Sequence, residues 1–255
     1  MISGYGIHSG KHSKVFFHQS DGPVSFLKNN VVIPARIESV VATPRSTVLG
    51  KDNNNIAVVE HLLAALYVLN IWSGILIEVQ GDELPILDGS AIEWYEAIKE
   101  IKTTNKPVPI ELNKTVQINK NGSNLIAAPG EQLLTVTVDY EHPAIGKQSW
   151  AGKHKDYIEL LKARTFGFLK DIETLREAGL ATRANMENVI IFDDVGALQE
   201  LRYQNEVVRH KALDVVGDLY LLGSPLKAKL EVFRGSHNTH VEFVREILRE
   251  HYAKN

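Results

Sequence analysis

Residues 206–223 read "EVVRHKALDVVGDLYLLG". Val207, Val208, Leu213, Val215, Val216, Leu219, Leu221 and Leu222 predict a buried helix. Yet His210, Asp214 and Asp218 recur in it at every fourth position. A helix advances about 100° per residue, so positions four apart lie about 40° apart on one face. A core helix therefore carries an imidazole and two carboxylates in one stripe. His210 and Asp214 can address one point in space, as two ligands of a single metal ion do. The pair alone fits a His–Asp hydrogen bond in the core, or a solvated face, equally well. Imidazole plus carboxylate suits zinc, iron or manganese and does not choose among them.

A metal site needs a third ligand, and a second apolar helix offers one. "IAVVEHLLAALYVLN", residues 56–70, is long and rich in Leu and Ala. Within it Glu60 and His61 stand between Val59 and Leu62. Burying them without partners would cost several kcal/mol. Adjacent helical residues point about 100° apart, so both are not expected on one ion. The natural division puts His61 on the metal and Glu60 beside it. A third stretch, "FRGSHNTH" at 233–240, holds His237 in a Gly-Ser loop, where an exposed imidazole reaches a substrate. Asp218, one turn beyond Asp214, is placed to hold that imidazole and raise its pKa. Taken singly, Glu60 is a helix-end acid, His61 a satisfied core histidine and His237 a surface residue. Taken together they form two His and one Asp as ligands, a carboxylate beside them, and a His–Asp pair. Three protein ligands leave one position for water, as catalytic zinc requires, and zinc lowers that water's pKa toward about 7. Glu60 then accepts its proton and His237 supplies one to a leaving group, which describes hydrolysis of an amide or ester.

The rest of the chain sets bounds. Its 255 residues suffice for one large or two small domains. Hydrophobic residues at 44% and charged residues at 23% mark a globular class. A net charge of −3 with no basic block argues against a nucleic-acid groove. Trp72, Trp94 and Trp150 form no stacking stripe. No cysteine occurs, which excludes disulfides, thiolate zinc sites and a thiol nucleophile and fits a reducing compartment. "MISGYGIHSGKH" lacks the apolar stretch of a signal peptide, and no run of 18 apolar residues exists, so a cytoplasmic location is expected.

Strands are predicted at "VFFHQ" (15–19), "VVIPARIESVVAT" (31–43), "GILIEVQG" (74–81), "LLTVTVDY" (133–140) and "ENVIIFDD" (187–194). Asn121-Gly122 signals a hairpin. Ser90 followed by Glu93 predicts a capped helix start, and Asp88-Gly89 before it reads as the turn into that helix. "DYIELLKART" (156–165) and "DIETLREAGL" (171–180) read as helices. The polar, proline-bearing "KTTNKPVP" (102–109) is the linker candidate. Strands precede helices in both halves, which predicts α+β architecture with two layered units, residues 1–104 and 105–255. No internal repeat is visible.

Several stretches together resemble the UDP-3-O-acyl-N-acetylglucosamine deacetylase family, the zinc amidases of lipid A biosynthesis. They are "GYGIHSG" (4–10), "VVEHLLAAL" (58–66), "LPILDGSA" (84–91), "ARTFGF" (163–168), "LRYQNEVVRHKALDVVGDLYLLG" (201–223) and "FRGSH" (233–237). The resemblance implies zinc held by His61, His210 and Asp214, with iron possible in the same ligands. It implies Glu60 as general base, His237 as general acid or electrostatic partner, and Asp218 orienting it. Thr165 would hydrogen-bond the oxyanion, Phe166 would line the cleft, and Lys211 would meet the sugar nucleotide. The implied fold is two similar α+β domains with the site between them. A βαβ insert within about residues 168–200 would form an apolar passage for a fatty acyl chain. The implied reaction removes acetate from the 2-acetamido group of UDP-3-O-(3-hydroxyacyl)-N-acetylglucosamine.

The chain departs from the family pattern at Arg183, Ala184 and Asn185, where a glycine-rich stretch is usual, at Ser236, and at His240, where Asn is common. Loss of glycine removes access to positive φ, so the insert loop is expected to run differently. The start lies close to the first motif, so the leading strand is expected short or missing. A deacetylase for another acylated amino sugar, or a metal-stabilised binding protein without catalysis, are the alternative readings; Glu60 and His237 argue against the latter.

Overall fold

The computed structural model describes residues 1–103 and 107–253. The predicted boundary at 104/105, and part of the 102–109 linker, lie outside the described residues. The fold is α+β. Strands β1 (Ile2–Tyr5), β2 (His12–Pro23), β3 (Ser25–Lys28) and β4 (Val31–Pro34) come first, so the leading strand is present though only four residues long. β5 (Val40–Ala42), β6 (Val48–Lys51) and β7 (Asn54–Ile56) make a small antiparallel sheet and deliver the chain to α1 (Glu60–Val68). β8 (Ser73–Gln80) then enters the first sheet, whose order is β1-β2-β8-β3-β4, and α2 (Ile92–Ile98) follows. β8 turns Ile75, Ile77 and Val79 inward, the period-two pattern of a strand covered on one face.

The second half follows the same path. After β9 (Ile110–Glu111) come β10 (Val116–Lys120), β11 (Ser123–Pro129), β12 (Leu133–Asp139) and β13 (Lys147–Gly152). Asn121 (φ 52°) and Gly122 (φ 77°) close the β10–β11 hairpin with both turn residues left-handed, as the Asn-Gly signal predicts. β14 (Phe166–Phe168), α3 (Ile172–Glu177) and β15 (Ile190–Phe192) form a βαβ unit with parallel strands, at the place expected for the insert. Then come α4 (Glu206–Leu219), β16 (Leu226–Phe233) and α5 (His237–Tyr252). β16 enters between β11 and β12, giving β10-β11-β16-β12-β13. In each half two strand pairs are followed by a helix, a strand inserted at the centre, and another helix. In each, the inserted strand is parallel to one neighbour and antiparallel to the other. This repeat lies in strand path rather than residue identity, which is why the sequence does not display it.

α1 and α4 pack directly on each other, α4 lies against β12 and β13, and one apolar core draws on both halves. The two helices meet at Gly217, where a Cβ would stand 2.2 Å from the carbonyl oxygen of Glu60. Only glycine permits that approach, and it brings the stripe of α4 to the start of α1.

Four local expectations change. The helix predicted over 56–70 is shorter, because Val58 takes φ +60°, a conformation costly for a β-branched residue, and α1 begins only at Glu60. Residues His154–Lys162 form 3₁₀ rather than α-helix, and Thr165 lies beyond them, just before β14. The strand predicted over 31–43 is broken by a short 3₁₀ turn at Ile37–Ser39. The Ser90–Glu93 capping box does not form: the Ser90 hydroxyl donates to Asp88 instead, and α2 starts at Ile92.

Candidate metal centre and active site

His61, on the first turn of α1, and His210 and Asp214, one turn apart on α4, converge. Their candidate ligand atoms lie within 4.8 Å of one another, all buried. The His61 and His210 rings meet edge to face with centroids 5.2 Å apart. His210 Nδ1 donates to the Ala163 carbonyl at 3.1 Å, which leaves Nε2 as the free lone pair, 3.5 Å from Asp214 Oδ1. Burial, then the neighbouring His210, lowers the His61 pKa to about 3, so its imidazole is neutral. Burial also lowers that of His210. Asp214 is held ionised: burial opposes this, but Lys211 and the surrounding imidazoles outweigh it. Two neutral imidazoles and a carboxylate are the donor set of a divalent cation. His61 Nδ1 is buried and, among the described residues, has no hydrogen-bond partner, so the cluster holds a polar atom that the protein leaves unsatisfied. The residues fit a metal.

Glu60 leaves the same turn in another direction. Its Oε2 accepts the Thr47 backbone N–H at 3.0 Å, and its Oε1 lies 3.8 Å from His237 Nε2. Burial, reinforced by Asp218 and Asp214 against the pull of His237, raises its pKa to about 7. A carboxyl poised there exchanges protons near neutrality. His237 is not in an exposed loop. It is the first residue of α5 and is buried, because Ser236 caps the helix by accepting the Thr239 N–H and turns the imidazole inward. Asp218 Oδ2 accepts its Nδ1–H at 2.7 Å. Burial works against the charged imidazole, but Asp218 and Glu60 overcome it and raise the pKa to about 9.

A cavity of about 420 Å³ joins these groups. Thr165, Phe166 and Lys211 line it. The Phe166 ring stands edge-on to His210 at 6.3 Å. The Lys211 ammonium is engaged by Asp214 Oδ2 at 2.8 Å while remaining on the cavity wall. From this polar end the cavity runs against a separate apolar cluster that includes Ile7, Val58, Ile86, Ala181, Val189 and Ile191. Part of that lining comes from the βαβ insert. None of Arg183, Ala184 and Asn185 takes positive φ; the left-handed residues of the loop are Gly179 (φ +72°) and Ala181 (φ +51°). The missing glycines therefore cost no conformation here. Arg183 covers the Tyr5 ring at 4.3 Å, and Ala184 joins the apolar cluster.

Sequence reasoning did not single out several residues that shape the site. Thr47 donates its backbone N–H to Glu60 and its hydroxyl to Asp218, and nothing in "RSTVLG" announces this. Tyr140 and Arg45 line the cavity without a sequence signal. His8, which the sequence leaves open between an approach to the site and plain turn chemistry beside Gly6 and Gly10, lines it too, its backbone N–H held by buried Glu83. The Asp88-Gly89 turn does more than start a helix. The Gly89 carbonyl accepts the Thr165 N–H at 2.7 Å, and Asp88 is clamped by Arg202 at 2.8 Å. A Cβ on Gly89 would lie 2.1 Å from the Asn188 carbonyl oxygen, so glycine is needed where the first half grips Thr165.

Comparison with known proteins bears on the whole chain. The profile of the family described as UDP-3-O-acyl N-acetylglycosamine deacetylase matches residues 1–249. A UDP-3-O-acyl-N-acetylglucosamine deacetylase of Aquifex aeolicus is 41% identical over 255 residues, covering 98% of this chain and 90% of that protein. Proteins of the same name from Helicobacter pylori strain 26695 and Thermodesulfovibrio yellowstonii are 37% and 36% identical. They cover 100% and 97% of this chain, and 90% and 88% of their own lengths. The chain belongs to the UDP-3-O-acyl-N-acetylglucosamine deacetylase family.

Proposed function

We propose that this chain hydrolyses the 2-acetamido group of UDP-3-O-(3-hydroxyacyl)-N-acetylglucosamine and releases acetate, in lipid A biosynthesis. The observation that carries the proposal is the convergence, in one cavity, of His61, His210 and Asp214 with Glu60 beside them and His237 opposite. His61, His210 and Asp214 would hold zinc, for which two neutral imidazoles and a carboxylate are a common catalytic ligand set. Bound there, zinc would supply a Lewis acid that lowers the pKa of water toward about 7.

The chain's own residues carry the remaining roles. Glu60, fixed by the Thr47 N–H, accepts the proton of the attacking water. Thr165 donates a hydrogen bond to the oxyanion of the tetrahedral intermediate. His237, protonated and oriented by Asp218, stabilises developing negative charge and supplies a proton to the departing amine. Lys211 meets the negatively charged sugar nucleotide, and Phe166 walls the cleft. The apolar arm beyond Ile86 and Val189 takes the fatty acyl chain, which exchanges water for an apolar lining. The two topologically matched halves are two domains, 1–104 and 105–255, with the site between them. No helix among the described residues is long and apolar enough to cross a membrane. The cysteine-free sequence supports work in a reducing compartment, the cytoplasm.

The test is acetate release from this substrate by the purified chain, after chelation and after adding back zinc. Activity lost to the chelator and restored by zinc is expected. A chain that binds substrate but releases no acetate with zinc restored would reduce the site to a binding module.

A further inference from the structure

The buried carboxylate of Asp218 serves two imidazoles. Its Oδ2 accepts Nδ1–H from His237 at 2.7 Å and from His240 at 2.8 Å, while Oδ1 accepts the Thr47 hydroxyl. The two histidines stand three residues apart on the first turn of α5, on one face. His240 is 2% exposed, and its Nε2 is buried without a partner. Protonating that nitrogen would bury an unpaired N–H, so His240 stays neutral with its single proton on Nδ1, aimed at Asp218. The far edge of the ring is tightly enclosed: a Cβ on Gly235 would lie 2.4 Å from His240 Nε2. The ring cannot turn away from Asp218 without displacing the loop that leads into α5.

We propose that His240 is a positioning residue for the reaction. By donating to the carboxylate oxygen that also holds His237, it fixes the rotation of that carboxylate and of the first turn of α5, and it limits how strongly Asp218 binds the His237 proton. The other ionisable groups facing this pair are Asp214, His210 and Lys211 on α4, Glu60 and His61 on α1, and His8 from the segment after β1. None of these donates to Asp218 Oδ2. Among the described residues His240 alone shares that oxygen with His237. The catalytic consequence rests on the deacetylase reading, whereas the proton arrangement does not.

A matched pair of substitutions tests the idea. Asn places an amide N–H near the position of the imidazole Nδ1–H, and Leu has the same shape without the donor. His240→Leu is expected to lower kcat about tenfold with KM little changed, since a bond that positions an acid–base group is worth less than the group itself. It is also expected to move the alkaline limb of the rate profile, and the His237 titration followed by imidazole NMR, upward by about 0.5–1 pH unit as Asp218 concentrates on one partner. His240→Asn is expected to keep both near the parent values. Equal kcat losses in the two variants with an unmoved His237 titration would overturn the proposal. The parent protein gives a check that requires neither variant to fold nor any activity: imidazole ¹⁵N shifts of His240 must report a neutral ring protonated at Nδ1. A ring protonated at Nε2 instead would sink it.

Discussion

Two clusters one helical turn apart on α4 use the same residue types for opposite ends. Around His210 and Asp214, lone pairs are left over: His61 Nδ1 has no partner, and His210 keeps Nε2 free by spending Nδ1 on a carbonyl. Around Asp218, the carboxylate is saturated, with three donors from Thr47, His237 and His240. The first cluster is short of positive charge and suits a cation. The second already holds its proton, because burial disfavours charged His237 less than Asp218 and Glu60 favour it. Each cluster keeps one orphaned imidazole nitrogen, His61 Nδ1 in the first and His240 Nε2 in the second; what separates them is the carboxylate, saturated by three donors at Asp218 and engaged by Lys211 at Asp214.

This contrast can be broken at either end. The largest effect is expected from His210→Ala, which removes one of the three proposed ligands: metal analysis should find the ion lost and deacetylation abolished. One full equivalent retained would refute the ligand set. Next comes Glu60→Ala, which leaves all three ligands in place. It should lower turnover by about 10²–10⁴-fold, the usual contribution of a general base, with the metal content unchanged. Near-parental turnover would remove Glu60 from the mechanism.

The smallest effect is in pH. The proposed roles require ionised Glu60, so kcat/KM should rise with pH up to about 7, and protonated His237, so it should fall above about 9. A bound dication lowers both limbs, because positive charge favours the deprotonated forms. Stability follows the same groups. The His237 pKa is raised from 6.5 to about 9, so its contribution is complete below 6.5 and is lost as pH rises through 9. The Asp218 pKa falls from 3.8 to about 2 despite burial, because His237 and His240 hold the anion. Its contribution is complete above 3.8 and is lost as pH falls through 2. Denaturation midpoints across this range check both signs: rising stability between pH 7 and 9 would exclude the His237–Asp218 pair as its main determinant.

Much of the molecule was legible beforehand wherever the signal was local. The β10–β11 hairpin at Asn121-Gly122, the burial of α4 and the alternation in β8 each follow from a few adjacent residues. The breaks came where distant packing overrode local preference. Val58 adopts a left-handed conformation that its own side chain opposes, and this shortens α1. Residues 154–162 wind as 3₁₀ helix despite an ordinary helical composition. His237 reads as a loop residue beside Gly235 and Ser236, but Ser236 acts as a helix cap and the imidazole is carried inside.

The amino-acid order alone determined that His210, Asp214 and Asp218 share one face, because helical periodicity is a property of the backbone and needs no partner. It also determined that Glu60 and His61 diverge from a common turn. Which cluster received which neighbour was settled only by tertiary packing. Gly217 lets α1 approach within contact of α4, Thr47 arrives from β6's approach to brace Glu60 and Asp218, and α5 docks so that two histidines meet one carboxylate. Those meetings join residues up to 171 positions apart in the chain, and no local rule of backbone geometry reaches that far.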